Sequence, residues 1–361
     1  MTARHYPWLD WLRFAAAFSV VVTHARVGHW VGWNELQAAD RHGATAGFFA
    51  LAGLDFEPVV VFFVLSGFLV GGKMIERLGA GEFQIGSYAL DRFSRIYIPL
   101  VPALGLSAFA AWLAGRSLSL AELAGNLASL QEVLVQPFAG NGPLWSLSYE
   151  VWFYIIAGAA AAVCVLPGAA AAVAFLILLA GFIVFTRLDP ILLICWFLGA
   201  VAFPLRCQKI GWRALLPGLF LVAAGVLASQ LAVRNLPLTS AMEGWVPSRG
   251  LALLMMSGGL AIVLAWLSAL PLTGGLMIWV GRVGASLAAF AYTLYLTHYP
   301  VLQIWNLYGP AKSESVDGPA LAVFVAKVAS CLLMAWILYV PFESRTADFR
   351  QWVRRRMAKS V

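Results

Sequence analysis

The chain has 361 residues, of which 61% are hydrophobic and only 11% charged, and its mean hydropathy is +0.83. Soluble domains are nearer one-quarter charged, so this balance excludes a soluble enzyme or a disordered chain and points to a polytopic membrane protein. The net charge of +7 fits loops facing anionic lipid head groups better than a nucleic-acid surface, and no nucleic-acid partner is expected.

The first apolar segment, LDWLRFAAAFSVVVTHARVGHW, is long enough to cross a bilayer yet carries Arg13 and His24. Ten residues separate them, so on a helix both point the same way, roughly 16 Å apart along the axis. An ionisable residue inside a membrane helix is a functional candidate by default. The plainer alternative makes Arg13 an interfacial anchor and His24 a helix–helix hydrogen-bonding residue. No A-x-A-like site follows, so the segment is expected to be retained rather than cleaved as a signal.

Ten spans are predicted, near 9–31, 58–75, 96–115, 143–165, 168–186, 190–205, 214–232, 249–269, 284–305 and 319–341, the fourth and fifth joined by the turn at Leu166, Pro167 and Gly168. An even count puts both termini on one side. With the N-terminus inside, cytoplasmic segments collect Arg4, Arg13, Arg92, Arg95, Lys209 and the basic tail from Arg345 to Lys359. The other face keeps Arg26, Arg41, Arg116, Arg187, Arg234, Arg249 and Lys312. This asymmetry predicts an N-in, C-in, all-α bundle forming a single membrane-embedded domain over residues 1–361. No internal repeat of the transporter kind is visible. Cys164, Cys195, Cys207 and Cys331 lie in or beside apolar runs without metal-ligand spacing; they read as core residues, with no metal site.

The second segment, EPVVVFFVLSGFLVGG, ends in Ser66, Gly67, Gly71 and Gly72. Such a cluster allows close helix packing; the alternative is a groove admitting a narrow chain. In the following loop, YALDRFSRIYIP, Arg92 and Arg95 share a helical face and have the chemistry to hold phosphate at the cytoplasmic mouth. The competing reading is positive-inside topology alone.

The fourth segment opens NGPLWSLSYEVWFYI, with Pro143 suited to a helix start and Trp145 to an interface. Glu150 then falls at about the depth inferred for His24. A buried carboxylate must be neutral or paired, and the partner is either His24 or an arginine such as Arg26. In the ninth segment Tyr292, Tyr295 and His298 recur at three-residue spacing as a polar stripe, read equally as core or as substrate contact. Pro300 is placed to free a carbonyl of the same helix. Glu343 and Arg345 read as cap or anchor of the last helix.

The order of these pieces resembles the acyltransferase-3 family of polytopic membrane O-acyltransferases. The matching stretches are LDWLRFAAAFSVVVTHA, FFVLSGFLVG, DRFSRIYIP, GPLWSLSYEVWFY and ASLAAFAYTLYLTHYPV. The arginine–ten residues–histidine spacing is carried by Arg13 and His24, and the W-S-L-S-x-E block by Trp145, Ser146, Leu147, Ser148 and Glu150. Two departures stand out: Val151 replaces a second carboxylate, and THYP replaces a WHWP-like block, with Thr297 and Tyr299 for the tryptophans. Some members carry a further extracytoplasmic domain, which is not expected in this sequence.

The resemblance implies transfer of an acyl group, commonly acetyl, from cytoplasmic acyl-coenzyme A to a hydroxyl of a cell-surface glycan or a lipophilic small molecule. It implies a multi-pass protein of the cell (inner) membrane in contact with lipids; homo-oligomerisation is left open. On this reading His24 is the general base, assisted by Glu150 or a tyrosine. Arg92 and Arg95, with Arg13, face the coenzyme A phosphates, while Trp145, Tyr295 and His298 line the substrate path. Ser66, Ser148 and Tyr295 are candidate oxyanion donors. Buried His, Glu and Arg also build proton relays, so the rival reading is a proton-coupled transporter.

Overall fold

Apolar spans leave the backbone no solvent to bond with, so helices that satisfy their own N–H and C=O groups are the expected solution. The computed structural model describes residues 6–54, 56–207, 212–234, 248–270 and 274–358, and among these it contains helices and turns but no strand. Arg4, Lys209 and Lys359, and the side chains of Cys207 and Arg234, lie outside the described residues.

The helices are α1 (Pro7–Val27), α2 (Gly43–Leu51), α3 (Glu57–Ser66), α4 (Gly72–Gly79), α5 (Ile85–Leu113), α6 (Leu120–Leu127), α7 (Trp145–Val165) and α8 (Gly168–Val184). They continue as α9 (Pro190–Ala202), α10 (Trp212–Arg234), α11 (Arg249–Ala269), α12 (Gly275–Ala289), α13 (Ala291–Tyr308), α14 (Gly318–Tyr339) and α15 (Thr346–Ala358). Each of the ten predicted spans contains a helix. The count of ten is not reached, however: six helices among the described residues are long and apolar enough to cross a membrane, or seven if α12 and α13 form one span. The shortfall has physical causes. Helix α1 carries Asp10, Arg13, His24 and Arg26 within 21 residues, α8 has only 17, and α9 with its 3₁₀ extension reaches only Arg206.

The chain divides into two compact units. The first comprises Met1–Ala16, Phe56–Ile85 and Trp152–Ala288. Its core is the contact of α3 and the π-helical turn Gly67–Gly71 with α9. A Cβ on Gly67 would lie 1.8 Å from the Trp196 carbonyl oxygen, and one on Gly199 would lie 2.0 Å from that of Val64. The glycines therefore let two backbones touch, so the small-residue cluster serves helix packing. Phe63, Phe153, Phe185 and Trp196 fill the space beside this contact with edge-on and stacked rings.

The second unit comprises Ala17–Asp55, Gly86–Val151 and Ala289–Val361, with α13 packed against α14. Trp30, Phe48, Phe49 and Phe324 form an aromatic cluster at the chain turn after α1. Of the cysteines, Cys195 and Cys331 are buried thiols, whereas Cys164 is exposed on α7 and so is not the core residue its neighbours suggested.

The helix contact in the first unit yields a paired test. Gly199→Ala is expected to destabilise by about 1–3 kcal/mol or more, because a backbone oxygen cannot move aside as a side chain can. Gly79→Ala, which meets nothing within 4 Å, is expected to be neutral or slightly stabilising. Thermal unfolding of the two purified variants checks this; equal midpoints would show that the α3–α9 contact is looser than described.

Candidate active site

Most of the sequence-predicted site residues belong to the second unit, and α13 organises them. Pro300 has no N–H, so the carbonyl of Leu296, four residues earlier, loses its helical partner. The side chain of Asn141, fully buried, donates to that carbonyl at 3.1 Å and to Ser107 Oγ at 3.0 Å. The residue immediately before the GPLWS stretch thus docks into the gap that proline opens.

A second tie lies one turn back. Tyr295 Oη donates to the Pro143 carbonyl at 3.0 Å and lies 2.7 Å from Ser146 Oγ. This fixes the start of α7 against α13, and Glu150 of α7 lies within electrostatic reach of the Tyr295 hydroxyl. A third tie holds the start of α13, where the first N–H groups have no helical acceptor. Glu343, 5% exposed, accepts from the Thr293 N–H at 3.1 Å and from Thr293 Oγ1 at 2.6 Å, and forms an ion pair with Arg95. A carboxylate is well suited to that end of a helix dipole. Glu343 therefore caps α13 rather than the helix that precedes it, a role its sequence neighbourhood does not reveal.

With α13 held in this way, His298 faces α1. Its Nε2 lies 3.0 Å from His24 Nδ1, and the two rings stack with centroids 5.2 Å apart and planes 18° apart. His298 Nδ1 lies 2.7 Å from the Tyr295 carbonyl oxygen and 3.2 Å from that of Leu294. His298 has no exposed surface, whereas His24 is half-buried, and Tyr299 approaches the His24 ring edge-on at 5.4 Å. The pairing of His24 with His298 was not foreseen, because the two residues are 274 positions apart.

The other predicted residues are distributed as follows. Trp145 and Glu150 are half-buried on α7, with Trp145 edge-on to Tyr149 at 5.5 Å. Ser148 is buried and donates to the Ser129 carbonyl at 2.9 Å. Arg92 and Arg95 are half-buried on α5, and Arg95, besides its Glu343 partner, lies over the Tyr292 ring at 5.1 Å. Ser66 and Arg13 belong to the first unit. There Ser66 Oγ accepts from Trp196 Nε1 at 3.1 Å and lies 3.0 Å from the Tyr154 hydroxyl, while Arg13 pairs with Asp10 at 2.9 Å. The chemical content of the second unit is therefore a hydrogen-bonded histidine pair with one half-buried member, beside a half-buried carboxylate-bearing helix.

Comparison with known proteins agrees with the motif order. The model of the acyltransferase-3 family, described as an acyltransferase domain, matches residues 6–340. Neither the curated proteins nor the solved structures contain a match to the chain. With nearly the whole chain covered and its apolar helices in place, this is a multi-pass membrane protein, and it belongs to the acyltransferase-3 family.

Proposed function

We propose that the protein transfers an acyl group, acetyl in the simplest case, from cytoplasmic acyl-coenzyme A to a hydroxyl of a cell-surface glycan or lipophilic small molecule. The observation that carries this reading is the half-buried His24, hydrogen-bonded at 3.0 Å to a second histidine in a chain of an acyltransferase family. The cell membrane, with both termini on the cytoplasmic side as the arginine asymmetry suggests, is the setting.

In the proposed reaction the acceptor oxygen attacks the thioester carbonyl carbon while His24 takes the hydroxyl proton. The tetrahedral intermediate collapses, the carbon–sulfur bond breaks, and His24 returns the proton to the departing thiolate. Glu150 is the carboxylate that balances the imidazolium formed on the way. Arg92 and Arg95 are the guanidinium groups proposed to meet the coenzyme A phosphates, and Arg95 would have to share itself with Glu343.

Purified protein in nanodiscs, supplied with radiolabelled acetyl-coenzyme A and a polyol acceptor, tests this. His24→Ala is expected to reduce transfer by at least about 10²-fold, the usual contribution of a positioned general base. Its affinity for acetyl-coenzyme A is expected to stay within about threefold of wild type. Transfer at near the wild-type rate in a folded His24→Ala variant would sink the assignment.

The arginines separate in a second experiment. Arg92→Ala is expected to weaken acetyl-coenzyme A binding at low salt, with the difference shrinking at high salt as ions screen the contact. Arg95→Ala strands the buried Glu343 charge, so a loss of roughly 3–5 kcal/mol of stability, read as a lowered thermal midpoint, is expected. Adding Glu343→Gln should recover part of that loss. Titration calorimetry at two salt concentrations and thermal unfolding read the two outcomes.

A further inference from the structure

We infer that His298 is a positioning residue: it fixes the tautomer of His24, so that Nε2 of His24 is the nitrogen that exchanges a proton with the acceptor. The inference rests on the reading of His24 as the base. It moves His298 from the substrate path, where its polar stripe placed it, to a role behind the reacting group.

The argument is one of donors and acceptors. Two backbone carbonyls, of Leu294 and Tyr295, face His298 Nδ1 at 3.2 and 2.7 Å. A carbonyl oxygen only accepts, so Nδ1 of His298 carries the proton. A second proton on Nε2 would place a cation on a ring without exposed surface, in an apolar helix and stacked against another imidazole. That arrangement is costly where, among the described residues, no carboxylate pairs with the ring. Nε2 of His298 is therefore the bare nitrogen, and at 3.0 Å its partner, His24 Nδ1, must be the donor.

Turning the His298 ring over does not escape this chain. It would place Cδ2 against the Tyr295 carbonyl and Cε1 against His24, losing both bonds at once. With Nδ1 of His24 committed to donation, the proton that comes and goes on His24 does so at Nε2, whether the ring is neutral or cationic. The orientation originates in the backbone of α13, which cannot titrate. The relay therefore sets which nitrogen reacts without competing for the proton. It differs from a carboxylate behind the histidine, which would also add charge.

The test combines a spectroscopic and a kinetic arm on the full chain in nanodiscs. In protein labelled with ¹⁵N-histidine, a pH titration reads which His24 nitrogen loses its proton. Nε2 is expected in wild type. In His298→Leu, where Nδ1 loses the His298 acceptor, the neutral His24 should instead keep its proton on Nε2. In the transfer assay His298→Leu should lose about 10²–10³-fold in kcat, with acetyl-coenzyme A affinity unchanged, as for a base held in the wrong tautomer. The conservative His298→Gln can donate its amide N–H to the carbonyls and accept from His24 Nδ1, and should stay within about tenfold of wild type.

Deprotonation at Nδ1 in wild type would overturn the inference. So would a His298→Leu variant that titrates as wild type, or one that transfers within about threefold of the wild-type rate. If His298→Leu does not fold, the wild-type titration and the rate of His298→Gln decide. Should wild type transfer no acyl group from any donor tried, the functional reading fails, while the titration still settles the tautomer.

Discussion

The site in the second unit depends on how the backbone of α13 is satisfied. In apolar surroundings an unpaired N–H or C=O has no water to turn to, so each must find a partner inside the protein. Helix α13 begins after a break at Phe290 and contains Pro300, which leaves unpaired donors at its start and an unpaired acceptor at Leu296. Glu343 takes the first and Asn141 the second. Both are buried polar side chains brought in from distant parts of the sequence. The same two bonds fix the rotation and depth of α13, and with them the direction in which His298 points. Losing either would do more than remove one hydrogen bond of about 1 kcal/mol, because it would leave a buried group stranded.

The ion pair between Arg95 and Glu343 belongs to the same constraint. A buried carboxylate is tolerable here because it meets three favourable partners: a guanidinium, a helix N-terminus and a threonine hydroxyl. This changes the reading of the DRFSRIYIP stretch. Its two arginines are three residues apart on α5, and Arg95 is ion-paired with Glu343. Arg95 is bound into the support of α13, where the Glu343 carboxylate offsets much of its charge. The Glu343 contact is why substitution of Arg95 carries a stability effect.

Much of this was legible in the sequence, because apolar runs of membrane length admit little besides helices. The helices fall where the apolar segments lie, the glycines after Ser66 do bring backbones together, and Pro300 does free a carbonyl. Local chemistry sufficed for each of these. Six or seven of the ten predicted spans pass on length and apolar composition among the described residues; the polar residues of α1 and the short lengths of α8 and α9 keep these three below that measure. What could not be read were the long-range pairings. Estimated depth places Glu150 near His24, but nothing in a sequence says that residue 298 also stands against residue 24. Asn141 gave a weaker signal, a polar residue heading a segment that starts Gly-Pro. Glu343 gave none beyond its type, since any carboxylate near a helix end reads as that helix's own cap.

The hydroxyls of the site also bear on the order of chemical events. Ser148 donates to the Ser129 carbonyl, and Ser146 is bound between Tyr295 and the Pro143 carbonyl. In the first unit Ser66 is held by Trp196 and Tyr154. The Cys331 thiol lies at 3.7 Å from the carbonyl of His298 itself. Among the described residues none of these groups is hydrogen-bonded to a histidine nitrogen, the arrangement an activated serine or cysteine nucleophile needs. On the proposed reading the base is His24, backed by a ring whose Nδ1 faces two backbone carbonyls. Such a base suits direct attack by the acceptor's own hydroxyl better than prior transfer to a side-chain oxygen. Under that proposal the nucleophile arrives with the acceptor, and the protein's part is to decide which nitrogen receives the proton.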